Sequence, residues 1–402
     1  MRPARFKRKV QFSSTLECTI RLARTSDVRA IRTLYDDIYG GDYPLPIIRD
    51  PTQTLATIKD RKHFWLVVEH ERRLVASVIF AIDSTDLIGR VSGAVVRPEF
   101  RGHDLTHQAI RLGLEELLAE KRPLDLFYAT TRTVTPAPER LVSRLGFVSC
   151  GVFPNVHKVV ASETHGLNAY FRPQALKKRL LGPRLIPEVG EFFAIAKETL
   201  NLPDDAVIEP ADPGPRSSER FEFSVVQDEA AVAQLYRQRI AERSLKYHFF
   251  PFHEPQVLYH TPDQADEVFI HFNRNDGYGA ILGVKSEVAD FGSFLDQLCE
   301  AARDLGLRYL ELLISAFDPM KQRHVLTARF LPCAYFPAMK VTTGDRRMDY
   351  LIFSRSFENL DFTGIALEGT ARRYLQAFMK CWYAVMVAQA PDFEQADRLF
   401  SS

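Results

Sequence analysis

A chain of 402 residues, 46% hydrophobic and 26% charged, is long enough for two packed cores and falls among soluble globular proteins. Its formal net charge of +1 argues against a nucleic-acid footprint over the whole chain, and no uninterrupted apolar run approaches the length that crosses a bilayer, so neither nucleic acid nor membrane is expected as a partner. Five widely spaced cysteines (Cys18, Cys150, Cys299, Cys333 and Cys381) with no C-x-x-C pair point to reduced thiols, no metal and, with no apolar signal core at the start, a cytoplasmic setting.

Residues 1–16, with Arg2, Arg5, Lys7, Arg8 and Lys9, read as a basic, disordered tail. Glu17 to Ala23 alternates into a short strand, and Ser26-Asp27 caps a helix through Val28, Ile31, Leu34 and Ile38. The loop from Tyr39 to Pro46 is rich in breakers and aromatics, and a helix follows over Thr52 to Lys62. Three strands then form a meander, Phe64 to Glu69, Arg73 to Ile82 and Ile88 to Val96.

The third strand stops at Pro98, turns through Arg101-Gly102 and opens a helix, in which Leu105, Ala109 and Leu112 recur at helical spacing beside Ile110, Leu114, Leu117 and Leu118. Such a helix start leaves backbone N–H groups without intrahelical partners, and these bind anions. Leu124 to Thr130 should run parallel to Ile88 to Val96, because a crossover helix joins them. Pro136 to Leu145 makes a short helix ended by Gly146-Phe147, before a strand pair through Cys150 and Phe153-Pro154. Phe171 to Leu202 holds basic and apolar helical stretches, and Pro203 to Arg220 is a linker of Pro, Asp, Ser and Gly.

A weak internal repeat follows. Pro136, Phe147, Cys150 and Pro154 reappear as Pro319, Phe330, Cys333 and Pro337, a constant offset (319 less 136, and likewise for the others) of 183 residues. A helix over Glu229 to Arg243, strands at Glu267 to Phe272 and Ala280 to Val284, a helix over Phe291 to Leu305 and a strand Tyr309 to Ser315 fit the upstream part of this second copy. Its strand-to-helix turn, Val284-Lys285-Ser286-Glu287, has no glycine. Thr370 to Gln389 is a helix with a broad apolar face (Tyr374, Phe378, Met379, Trp382), suited to docking on the second domain or on a sister subunit in a homodimer.

The run Val95-Val96-Arg97-Pro98-Glu99-Phe100-Arg101-Gly102-His103-Asp104-Leu105-Thr106 resembles the acyl-CoA-binding motif of the GNAT N-acetyltransferase superfamily, a strand ending V-x-P followed by R-G and a helix. The later helix with L-G-F at its end is a second point of likeness. Asp104 and Thr106 stand where the family prefers Gly and Gly or Ala, and Val142 stands where it often carries a Tyr that protonates the departing thiolate. The resemblance implies an α/β (α+β) fold of tandem GNAT-like domains, each a mixed, mostly antiparallel central sheet flanked by helices. Expected boundaries are 17–165 for the catalytic domain, 166–219 for a helical connector and linker, 220–356 for a degenerate copy and 357–402 for the C-terminal helix region.

The same resemblance implies an N-acetyltransferase that takes acetyl-CoA as co-substrate and a primary amine as acceptor. Cofactor contacts would come from Val95, Val96, Arg97, Arg101, Gly102, His103, Asp104, Leu105 and Thr106, with acceptor contacts from Tyr39, Tyr43, Thr130 and Thr131. The strand that often carries the family's catalytic Glu reads Arg90-Val91-Ser92-Gly93-Ala94 here, which leaves Asp83, Tyr128 and His157 as candidates for proton transfer. His103 and His107 stand four apart but lack further ligands, so phosphate or solvent contact is preferred to metal. Two alternatives stay open, a binding or scaffold protein that has lost turnover, and a CoA-thioester enzyme with another reaction, longer-chain acyl transfer or decarboxylation.

Overall fold

A computed structural model describes residues 6–40, 46–119, 124–158 and 161–387. The chain divides into two compact units, the first formed by residues 1–131, 137–148 and 168–175, the second by 132–136, 149–167 and 176–402.

In the first unit, β1 (Lys7–Gln11), β2 (Glu17–Leu22), β3 (His63–His70), β4 (Arg73–Asp83) and β5 (Ile88–Val96) form an antiparallel run, and β6 (Leu126–Arg132) joins β5 in parallel. Two layers of helix cover it. On one face α3 (Leu105–Leu118) packs Leu105, Ala109, Ile110, Leu114 and Leu117 against Phe64, Phe80 and Phe127. On the other, α1 (Val28–Tyr39) and α2 (Pro51–Lys59) bury Ile31, Leu34, Tyr35 and Ile58 against Trp65, Val67 and Ile79. Gly113 sets how closely α3 lies on the sheet, since a Cβ there would come within 2.4 Å of the Phe80 ring.

The basic tail expected over residues 1–16 is corrected by β1 from Lys7 on, and its first five residues lie outside the described residues. Lys7, Arg8 and Lys9 stay exposed, as their charge requires, but Phe6 is buried, its ring 5.6 Å from that of Phe64, and Val10 packs on the same core. Burying one phenylalanine side chain is worth ~2 kcal/mol, to which Val10, Phe12 and the main-chain ladder to β2 add. The start of the helical connector expected at Gly166 is corrected in the same way, its helices coming only at Pro173–Lys177 and Gly190–Leu200. Ser162–Phe171 is a strand, β8, in which Leu167 and Ala169 are buried and Asn168 donates to the Thr131 hydroxyl at 2.9 Å.

Between α4 (Ala137–Ser143) and β8 lies β7 (Val148–Lys158), most of which belongs to the second unit together with α5 (Gly190–Leu200). The second unit continues with β9 (Ser224–Val226), α6 (Glu229–Ala241), β10 (Val257–His260), β11 (Glu267–Asn273), β12 (Tyr278–Lys285), α7 (Phe291–Asp304), β13 (Tyr309–Ser315), α8 (Pro319–Thr327), β14 (Leu331–Thr342) and β15 (Arg346–Ser356). Its strands lie in the order β7-β14-β15-β13-β12-β11-β10-β9, with β12 and β13 parallel and every other registered pair antiparallel. A meander, a crossover helix and a parallel strand thus recur in both units.

A buried ionic cluster ties residues 176–205 to this sheet. The Arg179 guanidinium bonds Asp349 at 2.5 Å and Asp205 at 3.3 Å, while Asp349 also accepts from the Tyr335 hydroxyl and the Ala338 amide. The C-terminal α9 (Gly369–Trp382) buries Tyr374, Ala377 and Phe378 within its own unit, with Phe192 of α5 beneath Tyr374 and an Arg373–Glu198 pair at its edge. No helix among the described residues is long and apolar enough to cross a membrane.

Candidate functional site

Strands β5 and β6 pair only from Ile88↔Leu126 to Val91↔Ala129 and then part, although both continue. On its other side β5 carries a bulge against β4, where Ser77 faces Val95 but Ile79 faces Ser92. Gly93 sits in the bulge with φ +60°, a left-handed conformation that glycine adopts without strain, and the buried Tyr35 hydroxyl donates to its carbonyl. Trp65 Nε1 bonds Ser77 Oγ at 2.8 Å in the same layer.

The bulge fixes which main-chain groups face the gap. The Arg97 N–H bonds the Val75 carbonyl at 2.9 Å, so by strand alternation Val95 also turns its main chain toward β4, and Val96 turns toward the side that β6 has left. Ala94 is exposed.

Past Pro98, Gly102 (φ +81°) and Asp104 (φ +56°) reverse the chain into α3. The first backbone bond into the helix is Gln108 N–H to the Asp104 carbonyl at 2.9 Å, and Asp104 makes no side-chain cap. The amides of residues 102–107 therefore have no backbone acceptor among the described residues. They open into a cavity of about 420 Å³ lined by Gln11, Phe12, Gly102, His103, Asp104, His107 and Arg144, and a second of about 240 Å³ between Arg111, Arg144 and Tyr170 adjoins it.

Asp104, whose carboxylate would oppose an anion here, is held by Arg144 through two bonds of 2.9 and 2.8 Å. The guanidinium holds the Asp104 carboxyl below the usual carboxylate range, and burial and the neighbouring Arg144 charge lower His107. Arg144 escaped the sequence reading. Its partner is 40 residues away and no local pattern joins them.

The expected residues divide. Gly102, His103, Asp104 and Thr106 lie at the helix start, with Arg101 exposed just before it. Leu105 contributes its amide alone, because its side chain is in the core. Arg97 is corrected as a cofactor contact, since its buried guanidinium runs to Asp37 at 2.6 Å and the Leu74 carbonyl at 2.9 Å. Val95 is corrected too, with its side chain in the core and its main chain turned to β4. Asp83 accepts from the Thr85 and Asp86 amides and serves as a turn cap. His157 falls in the second unit, where its Nδ1 meets the buried Asp276 carboxylate at 2.6 Å. Tyr128 is buried on β6, Thr130 is exposed one residue beyond the last β5–β6 pair, and Thr131 is buried against Asn168. Tyr39 closes α1 and packs on its core, while Tyr43 lies outside the described residues.

No family model matches the chain. It is similar to the N-acetyltransferase YodP of Bacillus subtilis (strain 168), 27% identical over 112 residues, which are 28% of this chain and 40% of that protein. The chain thus spans well under half the length of this curated relative. Among solved structures, the ribosomal-protein-S5-alanine acetyltransferase from Vibrio fischeri is 18% identical with a TM-score of 0.35, covering 41% of this chain and 97% of its own. The ribosomal-protein-S18-alanine N-acetyltransferase from Escherichia coli is 16% identical with a TM-score of 0.33, covering 38% of this chain and 93% of its own.

Proposed function

We propose, from the kinship of the N-terminal region with the GNAT N-acetyltransferase superfamily, that the chain transfers an acetyl group from acetyl-CoA to a primary amine. The observation that carries this reading is the uncapped start of α3, open to a cavity and set beside two strands that part.

The amides of residues 102–107, with the α3 dipole behind them, suit a diphosphate. Arg144 neutralises Asp104 and brings a guanidinium to the same cavity. An extended arm running along β5 would meet the outward main chain of Val96, whose N–H would donate to the thioester oxygen as negative charge develops there. A donor fixed in a folded strand stabilises that charge without reorganisation. Attack needs the amine neutral and aimed at the carbonyl. Tyr128 and Thr130 lie on the face of β6 opposite Phe127 and Ala129, where the strands separate, and are our candidates for proton transfer and acceptor contact. The missing Tyr at Val142, a core residue, leaves Tyr128 as the phenol nearest in sequence to the gap.

Titration calorimetry with acetyl-CoA, followed by thiol release against an amine panel, tests the reading. Binding with amine-dependent thiol release is expected. Binding without release favours a scaffold, and no binding at millimolar acetyl-CoA overturns the proposal.

A further inference from the structure

In the second unit, β12 and β13 repeat the divergence of β5 and β6. They pair in parallel from Tyr278↔Tyr309 to Ala280↔Glu311 and then part. Strand β12 also carries a bulge, since Phe269 faces Gly283 while Ile270 faces Ile281. The eighth residue of α6, Tyr236, donates its hydroxyl to Leu282 O at 3.1 Å, much as Tyr35, the eighth residue of α1, donates to Gly93 O.

The gap that follows is filled. Lys246 N–H bonds Val284 O at 2.6 Å, and Val284 N–H bonds Lys246 O at 2.9 Å. A strand residue turns its N–H and C=O to one side, so both groups of Val284 point away from β11, into the space that β13 has left. Leu245 is buried beside Phe269, and a Cβ on Gly283 would come within 2.9 Å of it. Arg243 and Tyr247, both at positive φ, bend the segment into place.

The helix start is filled as well. Asp290 caps α7 through the Ser293 amide at 3.0 Å and accepts from the Ser217 amide at 2.7 Å, and the Tyr247 ring stacks on Phe291 at 4.8 Å. A carboxylate thus occupies the place where the first unit has bare amides.

We infer that residues 244–247 are a built-in occupant of the C-terminal unit's strand gap, standing where the first unit would take an acyl-CoA arm, so that the chain binds one acyl-CoA and not two. The inference rests on the acetyl-CoA reading for its stoichiometry, but the closed gap stands on geometry alone.

Two measurements on the full chain test it. Calorimetry should give one acetyl-CoA per chain, with all binding lost in Gly102→Val. Two sites, or a site surviving that substitution, would overturn the inference. Hydrogen exchange without ligand should find the Val284 amide at least ~100-fold slower than the amides of residues 102–107, and unchanged when acetyl-CoA protects those. A Val284 amide that exchanges as fast as theirs means an open gap and sinks the inference. A chain that binds no acetyl-CoA refutes the proposed function, and the exchange rate of Val284 still decides whether the gap is closed.

Discussion

Gly151 and Ala334 face each other directly across the antiparallel β7–β14 pair, and they are the same position of the internal repeat, 183 residues apart (334 less 151). The approach is close because Gly151 has no side chain. A Cβ there would lie 2.2 Å from the Ala334 Cβ and 2.5 Å from the Cys333 carbonyl oxygen. Backbone cannot yield as a flexible side-chain end does. Gly151→Val should therefore cost more than the ~1–3 kcal/mol of ordinary overpacking. A chemical-denaturation midpoint within error of the wild type would show that the two strands can separate freely.

The segment from Ile88 to Leu118 was legible because three local signals agree there: a continuous apolar run, a Pro and Gly break, and apolar rows at helical spacing. The repeat was visible because its matched residues are core ones (Phe147 and Phe330, Cys150 and Cys333), which packing constrains. What escaped is tertiary. Strand β1 hides behind its lysines and is held by Phe6 alone at its start, β8 looked like a connector, and the pairs Asp104–Arg144 and His157–Asp276 join residues 40 and 119 apart. Lys246 in the β12 gap has no sequence signature either, since it bonds through main-chain atoms that every residue carries.

At the start of α3 Asp104 stands where the resembled GNAT motif has Gly, and Arg144 offsets that departure. Both side chains are about half exposed, so the pair itself adds little to stability. Its effect belongs to anion binding. Asp104→Gly keeps the positive φ and removes a negative charge from the positive end of a helix, which should tighten acetyl-CoA binding by ~2–5-fold, the worth of ~0.3–1 kcal/mol. Arg144→Ala should weaken it by a similar factor, and the double variant should restore wild-type affinity or better. Calorimetric affinities at low and high salt check this, and the differences should shrink as salt rises.

Asp349 accepts hydrogen bonds from Arg179, Tyr335 and the Ala338 amide with no exposure to solvent. Asp349→Ala leaves the fully buried Arg179 charge to the more distant Asp205 carboxylate and the Ala338 amide unpaired, which should cost ~3 kcal/mol. Expression as aggregate, or a large fall in denaturation midpoint, is the expected result. Surface-pair variants such as Glu198→Ala, whose partner Arg373 stays hydrated, should change stability by less than ~1 kcal/mol.

Glu311 lies on β13 among Tyr278, Tyr309 and His157, and burial pushes its carboxyl up from 4.5 to about 7, against the lowering pull of the two phenols. A carboxyl with a raised folded-state value binds its proton more tightly folded than unfolded. Its contribution to stability is therefore complete below about pH 4.5 and is lost as pH rises through about 7. The shift corresponds to ~3 kcal/mol. Relative to wild type, Glu311→Gln should thus gain stability between pH 5 and pH 8, because glutamine keeps the shape and has no charge to uncover. Its carbonyl oxygen can still accept from one phenol, so the fold should tolerate the exchange. Denaturation midpoints of the two proteins from pH 5 to pH 8 check this, and parallel curves would mean that Glu311 stays ionised beside His157 throughout.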